Sequence, residues 1–120
     1  MSQFNLEYCI ECLDAGNPFD GSQGQVYDAM KQAVTDGNPN LVERFVDSFV
    51  AWRSKGLEND EKAKRVESAY SWMTISTQIA AVMKGDTPYS EPVKTLREIV
   101  AKKSSGPAKG LVIESPMNPN

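Results

Sequence analysis

Two cysteines three positions apart, Cys9-Ile10-Glu11-Cys12, carry the only spacing in this sequence suited to metal or redox chemistry. Thiolates so placed supply half of a tetrahedral zinc or iron–sulfur site, and a complete site needs four ligands. The chain of 120 residues contains no other cysteine and no histidine, so a second copy would have to supply the other pair. A reactive Cys-x-x-Cys pair sits at the start of a helix that follows a strand, where the helix terminus lowers the thiol pKa, and no strand is expected here. Cys9 instead falls on an apolar helical stripe and reads as a small buried hydrophobe. No metal and no cofactor are expected.

Other chemistry-bearing groups have ordinary explanations. Gly21-Ser22-Gln23-Gly24 resembles a glycine loop opening a helix, but it lacks the lysine and longer glycine spacing of a phosphate loop and lies near Asp14, Asp20 and Asp28, which repel anions. Asn17-Pro18-Phe19, a tripeptide bound by some adaptor domains, reads as a turn with Phe19 anchored on the core. Glu7 with Glu11, and Glu43 with Asp47, lie four residues apart on helical faces. A general acid and base need environments that separate their pKa values, and nothing in the sequence desolvates either pair. Bases gather at Lys62, Lys64 and Arg65, and again at Lys94, Arg97, Lys102, Lys103 and Lys109. The second group could hold phosphates or follow a nucleic-acid backbone. Against that, lysines near a helix C-terminus complement its dipole, and Glu61, Glu67, Glu91 and Glu98 dilute the field.

The elements that position these groups read as helices throughout. Phe4 to Leu13 fits helical spacing through Leu6, Cys9, Ile10 and Leu13, and strand alternation through Phe4, Leu6, Tyr8, Ile10 and Cys12. Helix is favoured, because a lone strand would find no partner. Ser22 with Gln25 forms a capping box for a second helix that Gly37 closes. Asn38-Pro39 starts a third, ending near Lys55-Gly56, whose Leu41, Val42, Phe45, Val46, Phe49, Val50 and Trp52 place it at the centre of the core. A fourth runs from Asn59 or Asp60 to Lys84-Gly85, about 36 Å at 1.5 Å per residue. Its inward stripe is Ala63, Val66, Ala69, Tyr70, Met73, Thr77, Ala80 and Met83, and Trp72, Ile75, Ile79 and Val82 lie outside it. A fifth, with Ser90 as N-cap and Val93, Leu96, Ile99 and Val100 on one face, is expected to stop near Lys103.

These elements predict an all-α fold, a compact bundle of four to five helices over residues 1–103, followed by a flexible Ser/Gly/Pro-rich C-terminal tail over 104–120. Val26, Met30, Val34, Phe45, Phe49, Val66, Met73, Leu96 and Ile99 belong to the expected core. The formal charge of -3 is uneven: residues 1–60 hold ten acids and four bases, whereas 61–120 hold six acids and nine bases. No window is apolar enough to span a membrane and the first residues lack a signal-peptide pattern, so a cytoplasmic protein without a membrane partner is expected. The residues point to a non-enzymatic protein-interaction protein, of the adaptor, inhibitor, immunity-type or small-subunit kind, that uses Trp72, Ile75, Ile79 and Val82. Its partner is another protein or a second copy in a homodimer. The alternative is a nucleic-acid-binding regulatory or accessory protein using the basic residues of the fourth and fifth helices and tail.

Overall fold

Short polar side chains and glycines set the helix boundaries. The computed structural model describes residues 4–87 and 89–113, with side chains as far as Ser104, and contains five helices and, among the described residues, no strand. α1 (Leu6–Asp14) starts on Asn5, whose Oδ1 accepts from the Tyr8 amide at 2.9 Å. Helical spacing wins over alternation because it buries Leu6, Cys9, Ile10 and Leu13 together. α2 (Gln23–Thr35) opens on the expected capping box: the Gln25 amide donates to Ser22 Oγ at 3.2 Å and the Ser22 amide to Gln25 Oε1 at 2.9 Å. It closes at Gly37, whose φ of +80° lets its amide reach the Val34 carbonyl at 3.0 Å and the Asn38 amide the Ala33 carbonyl at 2.9 Å.

α3 (Pro39–Ser54) begins with proline at its first position, though Asn38 makes no side-chain cap bond. It ends in a type II turn. Lys55 has φ -59° and ψ 132°, Gly56 has φ +80°, and the Leu57 amide donates to the Ser54 carbonyl at 3.1 Å. α4 (Asn59–Met83) follows, and then α5 (Glu91–Ile113). At the start of α5 the Ser90 hydroxyl donates to the Thr87 carbonyl at 3.1 Å.

α2 and α3 each touch every other helix, α4 packs on α2, α3 and α5, and α1 rests on α3 and α2. The core sits where α3 crosses its neighbours, with Val42, Phe45 and Val46 wholly removed from water; burying each such side chain contributes about 1.5–3 kcal/mol. An aromatic series runs through it: Phe4 to Phe19, Phe19 to Phe45, Phe45 to Phe49, and Phe49 to Trp72, with centroids 6.3, 6.0, 5.9 and 5.0 Å apart. Phe19 thereby anchors the Asp14–Gly21 loop, as its apolar side chain in a turn-rich segment implies. Ion pairs Lys84–Asp28 (2.8 Å) and Lys31–Asp86 (2.9 Å) tie the end of α4 to α2, and Lys103–Asp47 (3.0 Å) ties α5 to α3.

The all-α bundle matches the expected class, with differences at particular positions. α5 does not stop near Lys103 but continues as helix through Gly106 and Pro107 to Ile113. A proline inside a formed helix removes one hydrogen bond, here to the Lys103 carbonyl, and the remaining turns carry the helix on. The rest of the expected tail, 114–120, lies outside the described residues. Val34 and Val66 are only half-buried, and Ala63 and Met83, assigned to the inward stripe of α4, are exposed. Asn59–Arg65 is exposed at every position, so the first turns of α4 extend past the helices that cover its middle.

Candidate functional site

From Ser68 to Met83, sixteen residues of α4 carry no charged side chain, in a protein that is 24% charged overall. The inward side of this stretch is made mostly of small residues: Ala69, Ser76, Thr77, Ala80 and Ala81 are buried, together with Met73. Small side chains let α2, α3 and α5 come close to the α4 backbone, and the bulkier residues are displaced to the other side. Ile75 is 53% exposed, Ile79 48%, Val82 67% and Met83 80%. At about 100° per residue, positions 75, 79 and 82 share the side opposite Met73. The result is an apolar, uncharged strip on the outside of the bundle. Exposed apolar residues occur singly on most proteins, whereas a contiguous strip marks contact surfaces.

Three of the four residues singled out from the sequence, Ile75, Ile79 and Val82, lie on this strip. Trp72 lies at its edge and is half-buried, its ring stacked on Phe49 at 5.0 Å and 28°. It is the end of the aromatic series and supports the strip from beneath. Met83, which the sequence assigned inward, takes its place on the surface, and the exposed Tyr89 follows in the α4–α5 connection. Both stand just past the point where a neighbouring helix covers α4, a boundary set by tertiary packing. Its only trace in the sequence is the run of uncharged residues that Met83 ends.

The basic group is not brought together as a free cluster. Lys94 and Arg97 line a shallow cleft between α4 and α5 with Glu98, and Lys102 is exposed. Lys103 donates to Asp47 Oδ2 at 3.0 Å, and this bond raises its pKa and commits its charge to the α3–α5 contact. The side chain of Lys109 lies outside the described residues.

Cys9 is buried, and desolvation, with Cys12 beside it, pushes its thiol up to about 12; Cys12 is half-buried. That shift keeps Cys9 protonated and unreactive at neutral pH. Among the described residues no three His, Cys, Asp or Glu side chains come together in a metal-binding group. The Gly21–Gly24 segment serves as the capping box of α2. A second polar cluster joins α2 to the α4–α5 connection: Tyr27 Oη donates to Asp86 Oδ2 at 2.6 Å and Lys31 Nζ at 2.9 Å. Burial and the adjacent Asp86 raise the Tyr27 pKa, while the bonds from Tyr27 and Lys31 lower that of Asp86. A buried phenol held protonated against a stabilised carboxylate acts as a latch. No helix of the described residues is long and apolar enough to cross a membrane. No protein-family model matches the chain, and neither a curated protein nor a solved structure shows significant similarity to it.

Proposed function

We propose that this chain is a non-enzymatic protein-interaction protein of the cytoplasm, of the adaptor, inhibitor, immunity-type or small-subunit kind, whose contact surface is the outward side of α4. One observation carries the proposal: Ile75, Ile79, Val82 and Met83 stand in water along an uncharged strip, although the inward side of the same helix is filled with alanine, serine and threonine. Leaving branched aliphatic side chains exposed forgoes about 25 cal/mol for each Å² not buried, and that free energy becomes available when a partner covers them. The nucleic-acid alternative draws less support, since Lys103 is engaged by Asp47 and the acidic Glu98 lines the same cleft as Lys94 and Arg97.

The test compares capture from a lysate of the source by the immobilised protein and by its Ile79→Glu/Val82→Glu variant, with and without nuclease. A protein retained by the first and lost by the second, in the presence of nuclease and with equal helical content by circular dichroism, is the expected result. Capture that is equal in both, or that nuclease abolishes, overturns the proposal in favour of another face or of nucleic acid.

A further inference from the structure

We draw no further inference here: the strongest candidate, the open cleft between α4 and α5 lined by Ala63, Val66, Tyr70 and Ser104, carries none because nothing in the structure shows what covers it.

Discussion

In α3 the large apolar side chains point inward, with Val42, Phe45, Val46 and Phe49 all buried, whereas α4 buries Ala69, Ser76, Thr77, Ala80 and Ala81 and turns Ile75, Ile79 and Val82 to water. Both helices touch α2 and α5 as well as each other. The difference lies in the room available at each contact. α3 fills the space among its neighbours with rings and branched chains, while α4 offers them a nearly flat side on which α2 and α5 settle closely. Which residues of a helix are buried thus follows from the volume its neighbours leave, and hydrophobicity alone does not decide it.

The contrast can be broken most forcefully in α3. Phe45→Ala removes a ring that touches Phe19 and Phe49, and should lower stability in urea unfolding by about 3–5 kcal/mol; a loss below about 1 kcal/mol would show that the aromatic series is not the centre of the core. The counterpart in α4 is to add volume. Ala80→Leu should destabilise by about 1–3 kcal/mol, and a neutral result would mean that α4 is not closely approached. A third variant sharpens the same point with the opposite sign. Among the described residues, Thr77 Oγ1 is buried without a hydrogen-bond partner, so Thr77→Val, similar in shape and free of the hydroxyl, should raise stability by about 1 kcal/mol. A loss instead would reveal a partner for that hydroxyl.

The mildest change concerns the latch that holds the end of α4 to α2. Tyr27 and Lys31 hold the Asp86 carboxyl below its ordinary pKa of 3.8, so its folded value is lower than its unfolded one. Its contribution is then present above the unfolded pKa and is lost as pH falls through the folded value. Asp86→Asn should be less stable than the native protein at neutral pH, with the gap narrowing as pH drops below about 4. A gap that stays constant with pH would show that the carboxylate is not coupled to folding.

Helix boundaries set by local chemistry were legible in the residues: Ser22 with Gln25 starts α2 and Gly37 ends it, because capping depends on groups within a few positions. The end of α5 was not. Ser104-Ser105-Gly106-Pro107 has the composition of a break, yet one missing amide hydrogen does not end a helix already propagating. The strip on α4 was legible in part, since Ile75, Ile79 and Val82 exceed what one inward stripe can hold. Trp72 and Met83 exchanged places because both lie at the margin of that stripe, where burial depends on a neighbour. Phe49 of α3 covers Trp72, and no comparable side chain covers Met83.

The aromatic series also determines what light can report about this protein. Its only two tryptophans, Trp52 and Trp72, both lie against Phe49, at 6.1 and 5.0 Å. Tryptophan fluorescence, excited selectively beyond the tyrosine absorption, is therefore a probe of the α3–α4 junction alone, with no indole in α1, α2 or α5. Emission and far-ultraviolet ellipticity should coincide during unfolding only if the five helices come apart together. An emission change that lags the ellipticity would show an outer helix leaving first while the junction still holds.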